Sequence, residues 1–213
     1  MFKNKSNIYN LLIIIATFLL GILMYNKLPE SIPIHWNFAG EVDGYGNKFI
    51  GTFMVPLIMI ALWLAMIYLP KIDPKKENYN KFDKSYKLFQ SILLTFFFIM
   101  QIIVVLSAMG YNISINRVMP IVLGVLMILI GNYIPKAKSN FFYGIKTPWT
   151  LSSEVSWRKT HRLGGKLFVL SGLISIVSQF IFNANIAGII FFVSTFIAAI
   201  VPTVASYFYA KND

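Results

Sequence analysis

Residues 88–109 read LFQSILLTFFFIMQIIVVLSAM, twenty-two positions without a charge. A helix rises about 1.5 Å per residue, so this run is long enough to cross the roughly 30 Å hydrocarbon core of a bilayer. Working outward, the same pattern recurs at residues 8–25, 49–69, 118–134, 167–182 and 186–209, and none of these carries a charge. The reading that follows is an all-α integral membrane protein with six transmembrane helices. The fourth and fifth runs are short, so they are expected to borrow residues from their flanks. Residues 183–185 (NAN) are the expected turn between the last two spans. Residues 24–27 (MYNK) make a poor small-residue cleavage site, so the first run reads as a retained anchor.

Composition agrees. Of 213 residues, 57% are apolar and 13% charged. Soluble domains carry about a quarter charged residues. An ordinary soluble enzyme and a disordered chain are excluded. The absence of cysteine excludes disulfide scaffolds and thiolate chemistry.

The net charge is +11. Its distribution gives an orientation. Two, six, seven and one basic residues fall on the N-terminus, second loop, fourth loop and C-terminus. The first, third and fifth loops hold two, one and none. Lysine and arginine accumulate on the cytoplasmic side. Both termini are therefore expected inside, with the first loop (27–48) outside and the fourth (135–166) inside. The excess charge then sits on the cytoplasmic face. It points to anionic membrane lipids, and no direct nucleic-acid partner is expected.

Inside the spans the polar residues are amides and hydroxyls. No Asp, Glu, Lys, Arg or His lies there to carry a proton relay. Gln101 reads as interhelical glue. Ser171, Ser175 and Ser178, and likewise Gly124 and Gly131, read as close-packing faces. Pro202 is expected to kink the sixth helix.

The two longer loops carry the remaining information. In the outer one, Ile32, Ile34, Trp36 and Phe38 alternate with other residues, and turn formers cluster at Asn37, Gly40, Asp43, Gly44 and Gly46. A strand or hairpin resting on the membrane is expected. His35, Glu41 and Asp43 are the residues with metal-ligating chemistry, but one imidazole and two carboxylates at unconstrained spacing make no metal motif. In the inner loop, Pro148 breaks any preceding helix, and Ser152 or Ser153 can cap a new one beside Glu154. Glu154 and Arg158 stand four apart in the favourable order for an ion pair. Gly164 and Gly165 are expected to end or bend this helix, leaving an amphipathic segment on the inner surface. Trp149 and Trp157 suit the headgroup layer. No nucleophile elbow, phosphate loop or paired-histidine motif is present, so no enzyme activity, metal or cofactor is expected.

The run Gly144-Ile145-Lys146-Thr147-Pro148-Trp149-Thr150-Leu151, followed by Glu154, Trp157 and His161-Arg162, resembles the signature of the SdpI family. The outer run Leu28-Pro29, Ile32-Pro33, His35-Trp36-Asn37, Gly40 and Asp43-Gly44 resembles a small membrane domain of unknown function often fused before it. The resemblance spans essentially the whole chain. It implies a three-helix half at 1–110 and an SdpI-like half at 111–213, in the membrane of a bacterial cell. It also implies immunity to a secreted antimicrobial peptide toxin, with capture of a cytoplasmic repressor as a second role. The expected toxin surface is His35, Trp36, Asn37, Phe38, Gly40, Glu41 and Asp43, where aromatics offer burial and carboxylates attract a cationic peptide. The expected inner partner surface is the signature itself with Asn140, Arg158 and Arg162. Two other readings stand beside this one. Asn37-Phe38-Ala39-Gly40 faintly echoes Asn140-Phe141-Phe142-Tyr143-Gly144, as inverted repeats of a small transporter do. An inner-surface enzyme built on His161 and Glu154 is the third.

Overall fold

The structure is a computed structural model that describes residues 5–213. Lys3, one of the N-terminal bases in the charge count, lies outside the described residues. The elements run α1 (Lys5–Tyr25), β1 (Ser31–Trp36), β2 (Val42–Asn47), α2 (Lys48–Ile72), a 3-10 turn at Lys76–Lys81, α3 (Asp83–Ala108), α4 (Ile115–Tyr133), α5 (Pro148–Ser152), α6 (Glu154–Ile181) and α7 (Ala184–Lys211). Six of the helices are long and apolar enough to cross a membrane: α1, α2, α3, α4 with the 3-10 turn that follows it, α6 and α7. The fourth and fifth spans are extended from their flanks, to Ile115–Lys136 and Glu154–Ile181.

The chain forms two compact units. The first comprises residues up to Met66 together with Gln90–Met119; the second comprises Ile67–Phe89 and Pro120–Asp213. They are discontinuous in sequence, because α2, α3 and α4 each pass from one to the other.

In the first unit, α1 and α2 meet closely at Gly21, where a Cβ would lie 2.9 Å from the Thr52 methyl. Gln101 is buried in α3 and donates to the Thr52 carbonyl at 3.2 Å. This is the expected glue contact. Ser91 on α3 donates to Asn10 on α1 at 2.7 Å, and Tyr9 meets Thr95 at 2.7 Å. The hairpin of β1 and β2 rests on Leu28, Ile32, Val104 and Val105, with Trp36 packed at the edge of that cluster.

In the second unit, α4 and α6 cross on glycines. A Cβ on Gly124 would lie 2.9 Å from the Gly172 carbonyl, and one on Gly131 would lie 2.7 Å from that of Gly165. Ser171 joins α6 to α7 through Ser194 at 3.0 Å. Ser175 and Ser178 instead bond backward to their own helix.

Four local expectations are corrected. First, Gly164 and Gly165 do not end a helix: α6 runs unbroken from Glu154 to Ile181. The glycines are there for close approach, since a Cβ on Gly164 would meet Ile145 at 2.4 Å and one on Gly165 would meet Pro135 at 2.4 Å. The inner segment is thus the first turns of the fifth span and not a separate surface helix. Second, Trp157 is fully buried and is not a headgroup anchor. Third, no ion pair joins Glu154 to Arg158; the start of α6 is held by Ser153, which accepts from the Ser156 amide at 2.9 Å. Fourth, the last interhelical turn is tighter than 183–185, because Asn183 caps α7 by accepting from the Ile186 amide at 3.1 Å. Pro202 sits inside α7, which continues past it to Lys211.

Candidate functional site

Two constructions carry the candidate residues, one in each unit. The outer one is the hairpin. Its turn is closed by Asn37, whose side-chain oxygen accepts from the Glu41 amide at 3.0 Å while its amide nitrogen donates to the Glu41 carboxylate at 3.0 Å. Gly40 adopts φ +83°, and Asn116 at the start of α4 donates to the Ala39 carbonyl at 3.0 Å. The turn is therefore fixed locally and tied to a span. His35 Nδ1 lies 2.5 Å from Asp43 Oδ1 across the strands. Gly44 makes this possible, since a Cβ there would lie 2.8 Å from that of His35. Glu41 is engaged by Asn37, so the three metal-ligating residues do not converge. Phe38 and Tyr45 are exposed, at 51% and 61%. Trp36 is half-buried against the hairpin core. The hairpin thus presents Phe38, Tyr45, His35, Glu41 and Asp43, while Trp36, Asn37 and Gly40 shape it.

The inner construction is a platform built from residues 135–166 and clamped by the loop between α2 and α3. Asn140 is fully buried and organises its centre. Its oxygen accepts from the amides of Phe142 at 3.0 Å and Tyr143 at 2.6 Å; its nitrogen donates to the carbonyls of Lys138 and Tyr143 at 2.8 and 2.9 Å. Asp73 is 2% exposed and accepts from the amides of Lys75 at 2.7 Å and Phe141 at 2.8 Å. The Tyr79 hydroxyl lies 3.0 Å from both Asp73 and Asn140, so one proton serves two acceptors. Burial, and then the bond to Asp73, raises the Tyr79 phenol well above its ordinary range. Burial does the same to Tyr143, which stacks on Phe82 at 6.0 Å. Both phenols stay neutral. Lys75 completes the clamp, donating to Ser139 Oγ at 2.6 Å and to the Leu151 carbonyl at 3.0 Å.

His161 closes the platform from below. Its Nδ1 lies 2.8 Å from the Trp157 carbonyl and its Nε2 accepts from the Ile145 amide at 2.9 Å. A carbonyl on one side and an N–H on the other fix the neutral tautomer with the proton on Nδ1. Both ring nitrogens are thereby used by the backbone. The ring stacks on Trp157 at 4.0 Å, and Trp157 Nε1 donates to the Ala137 carbonyl at 2.9 Å. Gly144 passes directly over the imidazole with φ +119°. Thr147 and Thr150 cap α5 reciprocally, at 3.1 and 2.9 Å, and Thr147 Oγ1 reaches Ser206 on α7 at 2.9 Å.

The signature therefore divides in two. Asn140, Thr147, Thr150, Trp157 and His161 are buried and hold the shape, helped by Gly144. Lys146, Pro148, Trp149, Glu154, Arg158 and Arg162 are exposed, with Leu151 between. Sequence reasoning missed Asp73, Lys75, Tyr79, Ser139 and Ser206. The one available signal was Asp73-Pro74, a lone turn-forming pair in a run of lysines.

Residues 12–60, which include the hairpin, match a domain of unknown function (DUF1648), and residues 136–206, which include most of the platform, match the SdpI/YfhL protein family. The immunity protein SdpI of Bacillus subtilis (strain 168) is 30% identical over 208 residues, covering 98% of this chain and 97% of that protein. The uncharacterized membrane protein YbgB of the same organism is 43% identical over 55 residues, 25% of this chain and 60% of its own length. No solved structure matches. With its six apolar helices, the chain is a multi-pass protein of the bacterial cell membrane. The likeness runs from the hairpin through the platform, and the chain belongs to the SdpI/YfhL protein family.

Proposed function

We propose that this chain is a membrane immunity protein that protects its cell from a secreted, membrane-active peptide. The observation that carries the reading is the 30% identity to an immunity protein along 98% of the chain. The outer hairpin is the surface that meets the peptide. Its exposed Phe38 and Tyr45 offer apolar area at the membrane level, and Glu41 and Asp43 attract cationic groups. Their fixed turn removes part of the ordering cost of binding. On the inner side, Arg158 and Arg162 on the platform face a cytoplasmic repressor or, by the same charge, anionic lipid. The role is non-enzymatic. His161, the one histidine of the platform, has both nitrogens held by backbone groups and offers no base to a substrate.

The test is membrane potential in a sensitive bacterium expressing the protein, followed by dye during addition of a sporulation-delaying-type peptide. A Phe38→Ala, Tyr45→Ala, Asp43→Asn variant runs beside the parent. Trp36 is left intact because it belongs to the hairpin core. The expected result is a held potential with the parent and a collapse with the well-expressed variant. Collapse with both rules out immunity to that peptide. The receptor half is tested by localising a tagged repressor. Release to the cytosol in Arg158→Gln, Arg162→Gln supports it, and a repressor that stays cytosolic beside the peptide-bound parent overturns it.

A further inference from the structure

In the second unit, a cleft of about 480 Å³ opens between residues 80–85, at the start of α3, and Lys136, just beyond α4. Lys81, Lys84 and Lys136 line it, with Asp83 as its carboxylate. That carboxylate is already matched: Lys87 Nζ donates to it at 2.6 Å from one helical turn away. The lysines are not matched. Lys81 donates to the neutral Asn78 amide at 2.8 Å, and Lys136 lies over the Tyr133 ring at 4.3 Å. Lys84 has no acidic partner among the described residues. Buried Phe82 lines it too, and its stack on Tyr143 steadies that wall. Three lysines thus line one open space, against a single carboxylate that Lys87 already pairs. Like charges held together cost energy unless an anion joins them.

We propose that this cleft is a binding site for a phosphate group. It has the charge for a singly or doubly ionised phosphate and the volume for a glycerophosphate headgroup. It also lies at the ends of two spans, on the side that the basic residues assign to the cytoplasm. That is the depth at which anionic headgroups stand. The site is independent of toxin immunity and of the repressor: it uses none of the hairpin residues and none of the exposed signature residues.

The test uses the full-length protein in nanodiscs, with bound ligand counted by native mass spectrometry. In one arm the bilayer mixes phosphatidylglycerol with phosphatidylcholine. In the other it is phosphatidylcholine alone, and glycerol 3-phosphate is added from solution. Lys84→Gln, Lys136→Gln is compared with the parent and with Lys166→Gln, Lys211→Gln, which removes the same charge elsewhere on the basic side. The expected result is a preference for the anionic lipid that falls about tenfold or more in the cleft variant and holds in the control variant. A loss confined to the soluble arm keeps the site and assigns it to a free phosphate ester. Equal losses in both variants, or no loss in either arm, overturn the proposal. Unchanged melting of the cleft variant separates lost binding from lost folding.

Discussion

Gly144 shows how much one atom can decide. A Cβ at this position would lie 2.3 Å from His161 Nε2, nearer than any real contact. The backbone there is also at φ +119°, which L-residues rarely adopt. Gly110 separates the two effects. It has φ +84° but nothing within 4 Å of the missing Cβ. Gly110→Ala is expected to cost about 1 kcal/mol, from conformation alone. Gly144→Ala is expected to cost about 2–4 kcal/mol, because His161 must also leave the Ile145 amide, and a buried N–H without a partner costs roughly 1–3 kcal/mol. Thermal unfolding in detergent micelles measures both; equal losses would mean that the imidazole contact contributes nothing. The signature's glycine was legible as a pattern, but its reason was not. His161 lies 17 residues later in sequence, and only the turn of α6 brings it beneath. Asp73 was less legible still. Its partner Phe141 lies more than 60 residues away, and it reaches Asn140 only through the shared Tyr79 hydroxyl, so nothing near it in sequence marks it out from the lysines around it.

At the scale of elements, the α4–α6 contact rests on close backbone approach at glycines. The α4–α6 crossing holds Gly124 and Gly131 against Gly172 and Gly165, with no room for a methyl group. The α6–α7 contact includes the Ser171–Ser194 bond at 3.0 Å. Interhelical hydrogen bonds in membranes average about 0.6 kcal/mol, since the separated helices find other partners. Ser171→Ala is therefore expected to cost about 0.5 kcal/mol. Gly165→Leu must push Pro135 and the Gly131 backbone apart and is expected to cost about 3 kcal/mol or more. Denaturant unfolding in mixed micelles ranks the two, and the opposite order would mean that hydroxyls hold this unit together. The spacing of Gly124 and Gly131 announced such a face from sequence. The pair Gly164-Gly165 misled, because the same residue type that ends helices also lets them approach. Only the neighbour decides which. The hairpin was easier to read, since its alternation and its turn residues both sit within one short segment and need no distant partner.

For the whole molecule, the six spans were plain in the sequence because a bilayer imposes length and apolarity on each helix separately. What holds each unit together was not plain, since it depends on pairs of positions. Orientation is the remaining whole-molecule property, and it rests on the uneven distribution of Lys and Arg. Sixteen of the nineteen fall on the segments assigned inside. The chain has no cysteine, so single substitutions report without background. Tyr45 on the hairpin and Arg162 on α6 are both exposed and free of the buried networks. In intact cells, Tyr45→Cys is expected to react with a membrane-impermeant maleimide, and Arg162→Cys only after the membrane is opened. The difference should exceed tenfold in initial rate, because an intact bilayer withholds the charged reagent altogether. The reverse pattern would invert the molecule. It would put the phosphate cleft and platform outside, and the aromatic hairpin where no secreted peptide reaches it. The proposed immunity surface and the proposed cleft therefore stand on the same charge asymmetry, and this one labelling experiment tests the premise of both.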